Sequence, residues 1–344
     1  TNPGVEAQTM NPVVAADQFT GGNNFTGTKT GTIDRNQSKS FFFAVPANTP
    51  AFKVDMQAGG GPGLGQVRFL RFHPYGVGID SNSSLANYNP PVSGGSNASA
   101  LSRTVANPFP GVWEVTVEAR RTSDVLTAPF SITASILGAS VSPNPDVIAS
   151  AKVGTPVNRS YTLTNLFGDF IGRAVGTALG SAHRDVKTIG HLEQETFTVE
   201  VPAGATSLRA TIGGTSDPAA DLDLFVLKGG KVLGQSADGD SEESVTIANP
   251  GAGTYTVLVD GYAVPAGSTT YNYVDVFVDP SIGAVAVTDA NALRPAGSSW
   301  TVPGTVTANA APAAGRVLLG VVEVRTDANV LIGSGDVIVE SVTP

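Results

Sequence analysis

One stretch of this sequence occurs twice, and the repeat limits the possible folds more than any other feature. Thr104 to Pro108 (TVANP) followed by Gly111 to Val117 (GVWEVTV) matches, without a gap, Thr246 to Pro250 (TIANP) followed by Gly253 to Val259 (GTYTVLV). Upstream, Phe41 to Ala47 (FFFAVPA) parallels Phe197 to Ala203 (FTVEVPA), and Val67-Arg68-Phe69-Leu70 stands where the second copy has Leu222-Asp223-Leu224-Phe225. A fixed internal repeat of this kind marks a structural unit used more than once. The copies run from roughly 20 to 137 and from roughly 187 to 279.

Each matched run alternates apolar and polar residues with period two, so Trp113, Val115 and Val117, or Tyr255, Val257 and Val259, share one strand face. Asn-Pro followed by Gly is turn chemistry, and the Val-Pro-Ala steps end strands because proline cannot donate to a ladder. With 40 glycines, 23 prolines and only 14% charged residues, short strands and turns are expected throughout. The unit is read as a β-sandwich.

Val157 to Thr164, Ile171 to Thr177, Ala284 to Thr288, Ser298 to Thr307, Arg316 to Arg325 and Val330 to Val339 form a further set of strand candidates. Two strands alone cannot bury a core, whereas six make an ordinary immunoglobulin-like or fibronectin-III-like sandwich. The expectation is an all-β chain of three sandwiches in tandem, jelly-roll-like and fibronectin-III/Ig-like. Its boundaries are 1–139, a discontinuous 140–186 plus 281–344, and 187–280 inserted within that. The alternative is a sequential order with 140–186 as a linker.

The net charge of −9 repels phosphate backbones and anionic lipid, so neither nucleic acid nor a membrane is expected as partner. Cations fit better. The absence of cysteine removes thiolate nucleophiles, zinc–thiolate sites and disulfides. No apolar run reaches the roughly 20 residues that span a bilayer, and Thr1-Asn2-Pro3-Gly4 does not begin a leader, so the chain reads as a mature or excised monomeric piece. The sequons at Asn24, Asn82 and Asn158 are chance-level triplets.

Asp221 and Asp223, two apart in a strand, point to one face about 6.5–7 Å from each other while Leu222 and Leu224 point inward. Like charges so placed call for neutralisation. Asp217, with Asp238, Asp240, Glu242 and Glu243 of the following loop, offers further hard oxygens suited to Ca²⁺. The loop is not an EF-hand, because Glu243 stands where that motif needs Gly. The candidate calcium ligands are therefore Asp217, Asp221, Asp223, Asp238 and Asp240; a solvated acidic edge is the other reading. The first copy has Gln66 and Arg68 at the positions of the acidic pair, so the fold itself does not require the carboxylates.

Tyr271 and Tyr273 share a face of the strand Thr270 to Val278 and are candidates for gripping a peptide or sugar chain, against simple packing under a neighbouring domain. Trp113 and Trp300 read as core residues. The three histidines, His73, His183 and His191, fall in loop-like or connecting sequence, and no catalytic residue is expected among them.

The run from Asp221 to Val226 (DLDLFV), Ser244 to Ile247 (SVTI), and Asn249-Pro250 through Val259 resemble the bacterial pre-peptidase C-terminal (PPC) domain, a sandwich appended to secreted peptidases. Together with Phe69 to Asp80 (FLRFHPYGVGID), Gly111 to Arg121 (GVWEVTVEARR), Tyr161 to Gly168 (YTLTNLFG) and Gly213 to Phe225 (GGTSDPAADLDLF), they are similar to the C-terminal part of large secreted actinobacterial subtilisin-like serine proteases. The resemblance implies an extracellular location and covalent linkage to a protease domain, a serine endopeptidase or aminopeptidase, in the precursor. It does not imply activity in this stretch. The family's Asp-Ser/Thr-Gly, His-Gly-Thr-His and Gly-Thr-Ser-Met-Ala contexts do not occur, and Gly214-Thr215-Ser216 continues as Asp217-Pro218. The leading expectation is a non-catalytic accessory region that stabilises, spaces or targets a protease, with calcium; the alternatives are an independent binding module or adhesin fragment for protein fibres or polysaccharide and, last, a sandwich-fold hydrolase.

Overall fold

The computed structural model describes residues 15–19, 25–59, 63–80, 88–90 and 101–344, and every regular element among them is a β-strand. Asn24, Asn82 and the N-terminal Thr1 to Gly4 lie outside the described residues. Among the described residues no helix is long and apolar enough to cross a membrane.

The first copy packs two four-stranded sheets. One holds, in order, Asp17–Gln18, Ser38–Val45, Gly111–Ala119 and Val67–Phe72; the other holds Thr26–Asp34, Thr127–Leu137, Ala51–Ala58 and Ser102–Ala106. Between them Phe43, Phe52, Phe69, Trp113, Val115, Val117 and Ile132 are fully enclosed. They come from alternate strand positions, each such side chain adding about 1.5–3 kcal/mol of transfer free energy.

The second copy repeats that order. Gln194–Val201, Gly253–Ala263 and Asp221–Lys228, with Lys231–Ser236 at the edge, form one sheet. Gly180–Gly190, Ser268–Val278, Ser207–Gly213 and Ser244–Ala248 form the opposing layer. The same corner closes both copies. Asn107 and Asn249 take left-handed φ of 45° and 47°, and Gly111 and Gly253 take φ of 126° and 132°, where a side chain would be strained. The next core aromatic then donates to the carbonyl four residues back: Trp113 Nε1 to Phe109 O at 2.8 Å, and Tyr255 OH to Gly251 O at 2.9 Å.

A third core joins residues from both sides of the second copy. Tyr161, Leu163, Phe170 and Leu179 pack with Val302, Val306, Leu318, Val322 and Ile332. One of its layers is Gly283–Val287, Ser299–Ala308, Val157–Asn165 and Ala139–Ser142. Its other layer is continuous with the second copy. Gly180 pairs with Val278 on one side and Leu319 on the other, so a nine-stranded sheet runs through both sandwiches.

Leu208 and Phe277 of the second core and Leu318 of the third fall in one register row, so both cores lie on the same face of that sheet. The strand Gly180–Gly190 crosses the expected boundary at 186/187 because it pairs along its whole length with Ser268–Val278. His183 thus sits in a strand rather than a connector.

Candidate metal centre

The strand Asp221–Lys228 buries Leu222, Leu224 and Val226 completely and leaves Asp221 and Asp223 half-buried on the opposite side. Its pairing with Gly253–Ala263 slips between Asp221, opposite Ala263, and Asp223, opposite Asp260. The slip is a bulge, a device that re-aims side chains beside sites. The loop 237–243 is tied over this point. Leu222 N donates to Asp240 O at 3.3 Å, Ser241 Oγ donates to Ala220 O at 2.6 Å, and Glu243 exchanges backbone bonds with Ile212 at 3.0 and 3.1 Å.

Those ties gather carboxylates. Asp238, Asp240 and Glu243 each place one oxygen within 4.8 Å of the others, and Glu243 is only 2% exposed. Burial, then the charges of Asp238 and Asp240, push the Asp221 carboxyl above the ordinary range. Burial also raises Asp223, followed by Asp221, Asp260, Glu243 and Asp238. Asp221 Oδ1 is buried and accepts no hydrogen bond, and none of these carboxylates has an ion-pair partner among the described residues. A buried acceptor without a donor carries a desolvation cost that a cation would relieve. Hard oxygens converging from a strand and a loop suit Ca²⁺, which takes 6–8 oxygen ligands at about 2.3–2.6 Å.

The first copy has the same ladder position with one of the two charges reversed. Arg68 faces Glu118 in the ladder where Asp223 faces Asp260. Its Nε and Nη2 donate to Glu118 Oε2 at 2.9 and 2.7 Å, and Tyr88 OH donates to Glu118 Oε1 at 2.7 Å. A guanidinium thus neutralises this place in one copy, and no cationic side chain does so in the other.

Several expected site residues stand elsewhere. Asp217 does not join the cluster: its Oδ1 accepts from Ala219 N and its Oδ2 from Ala266 N, both at 3.0 Å, so it holds two turns. Glu242 caps Gly214 N at 2.7 Å. Tyr271 and Tyr273 are no ligand platform, because both are 0% exposed within the second core. Tyr273 lies stacked on Phe197 at 3.6 Å; Tyr271 OH donates to Glu195 and Tyr273 OH to Asp275. Their face is the core face since Val276, across the pleat, belongs to the outer side of the sheet. Asp260, opposite Asp223 and adding its charge there, is the neighbour that the sequence pattern did not single out, although it aligns with Glu118.

The histidines are engaged structurally. His73 Nδ1 accepts from Tyr75 N and His191 Nδ1 from Val264 N, at 3.1 and 3.2 Å. His183 Nδ1 lies 3.7 Å from the buried Asp275, but Ser181, two residues away on the same strand, is itself buried and accepts from Arg316 Nε.

The comparisons with known proteins fall on this region and around it. Residues 193–261 match the bacterial pre-peptidase C-terminal domain. Asp221, Asp223, the acidic loop and Asp260 all lie inside that stretch. Over 332 residues, 94% of its length, the chain is 24% identical to Pyrolysin of Pyrococcus furiosus. It spans 22% of that relative's length. Among solved structures, the chain resembles tripeptidyl peptidase 2 with a TM-score of 0.40 and 10% identity, covering 96% of this chain and 31% of that one. A lysozyme inhibitor from Aeromonas hydrophila, PliG, matches with a TM-score of 0.23 and 16% identity, covering 28% of this chain and 87% of that one.

Proposed function

We propose that this chain is a non-catalytic accessory region of a secreted subtilisin-like serine protease, covalently attached to the catalytic domain and stabilising or positioning it. The alignment with Pyrolysin along 94% of the chain, with a PPC match at 193–261 inside it, carries the reading. Three sandwiches with the second inserted into the third suit such a role: entry and exit of the insert sit side by side where Gly180 pairs with Val278. The test is to remove these 344 residues from the full polypeptide and compare thermal inactivation of its proteolytic activity. Faster inactivation is expected; an unchanged half-life, with unchanged processing of large substrates, rejects the reading.

The second sandwich holds a calcium ion in this proposal, with Asp221, Asp223, Asp238, Asp240 and Glu243 as the donor set. Bound calcium would supply the countercharge that Arg68 supplies in the first copy. Saturating calcium at about 100-fold over Kd adds about 2.7 kcal/mol to stability, and Asp221→Ala with Asp223→Ala should remove that gain. A melting temperature unmoved by chelator rejects the ion.

A second reading, an independent extracellular binding module, is favoured by one observation. Tyr75 and Phe109 are 75% and 55% exposed and meet edge to face around His73. The second copy has Gly251 in place of Phe109, so the corner does not need that ring.

A further inference from the structure

The long sheet has a face turned away from both cores, and it dips where the two sandwiches join. Register places Ser207, Val278, Gly180 and Leu319 side by side on it, and Thr246, Arg209, Val276 and Ala182 in the neighbouring row. In these two rows the seam strand therefore contributes only Gly180 and Ala182 to the outer face. A Cβ at Gly180 would come within 2.6 Å of Val276 Cγ2, so the missing side chain is what lets the floor sink. The result is a groove of about 240 Å³ with an apolar floor of Val276, Val278, Leu319 and Val321.

Two charged side chains border it, and they differ. Glu323 is taken by Arg325 at 2.6 Å. Arg209, from the other sandwich, is exposed, and its guanidinium makes no ion pair with any carboxylate among the described residues. One uncommitted guanidinium over an apolar floor, in a chain of net charge −9, selects an apolar ligand that carries a carboxylate. The volume suits one large side chain and its carboxylate rather than a polymer. The floor strands are hydrogen-bonded on both sides at this point, so a peptide cannot add as an extra strand.

We propose that this groove binds the C-terminal end of a peptide, with the α-carboxylate on Arg209 and the last apolar side chain on Val276, Val278 and Leu319. A region attached to a protease would meet such ends as cleavage products; that biological context rests on the function proposed above, whereas the groove does not. The probe is a fluorescein-labelled peptide, Gly-Ser-Gly-Ala-Leu, with a free C-terminus, titrated with this chain and followed by anisotropy. Saturable binding is expected, weakened about tenfold or more by C-terminal amidation. Arg209→Gln, an exposed change that should leave the melting temperature in place, should make acid and amide bind alike. Equal binding of acid and amide to the unaltered chain, no saturation, or tighter binding of decanoate than of the peptide would each overturn the assignment. If the peptide binds but removing the chain leaves the full polypeptide's inactivation rate unchanged, the accessory role falls and the groove stands; the opposite pair of results removes only the groove.

Discussion

Asp223 stands opposite Asp260 in the second sandwich at the ladder position where the first sandwich sets Arg68 opposite Glu118. Two like charges directly across a ladder destabilise it, and an opposite pair supports it. The same backbone therefore carries a self-neutralised corner in one copy and an electrostatic deficit in the other.

Moving the first copy's solution into the second should make calcium redundant. Asp223→Arg is expected to raise the melting temperature in chelator and to abolish the further rise on adding calcium. A variant that is less stable in chelator and still responds to calcium would show that Asp260 and the loop form the site without Asp223.

The raised carboxyls set a pH dependence in metal-free protein. Asp221 and Asp223 ionise less readily folded than unfolded, so ionisation opposes folding, with the full penalty above their raised pKa values. Lowering pH through those raised values protonates them and removes the penalty, so this contribution becomes more favourable as pH falls toward the unfolded carboxyl value near ~3.9. Calcium stabilisation should shrink over the same window as protons compete. Melting curves with calcium and with chelator should converge on acidification; parallel curves would refute the shared site.

Arg316 clamps the two nested sandwiches. From the third it donates to Asp275, and from Nε and Nη2 to Ser181 Oγ and O at 2.8 Å. Asp275 is 1% exposed. Removing the guanidinium alone leaves a buried carboxylate without its permanent countercharge, so Arg316→Met should cost about 3–5 kcal/mol. Adding Asp275→Asn should recover much of that loss. Denaturant midpoints measure both, and an additive double variant would contradict the coupling.

Buried phenols predict a cooperative alkaline transition. Tyr88 is pushed up to about 12 by burial and by its bond to Glu118. Burial also holds Tyr161, Tyr271 and Tyr273 well above the usual phenol, with Asp146, Glu195 and Asp275 adding to it. Because the unfolded phenol ionises near pH ~10, native stability is lost as pH rises past that point. Tyrosinate absorbance of these four should appear together with loss of structure, and gradual ionisation in a folded chain would contradict their burial.

The sequence alone determined the all-β class and the repeat. Period-two alternation places Leu222 and Leu224, or Val115 and Val117, on a core face whatever the surroundings, and Asn-Pro with Gly sets the corner locally. It also picked out Asp221 and Asp223, since their common face follows from strand geometry. Tertiary structure decided which other groups meet them. Asp217, four residues away, holds its own turn and that of Ala266, whereas Asp260 and Glu243 arrive from a neighbouring strand and a folded-back loop. Only the third dimension assigned Tyr271 and Tyr273 to the interior, because alternation says that two faces differ but not which one another sheet will cover. It alone joined Gly180 to Leu319, producing the shared sheet and its groove. Pairings between distant strands rest on register and packing over more than a hundred residues, which no local pattern encodes.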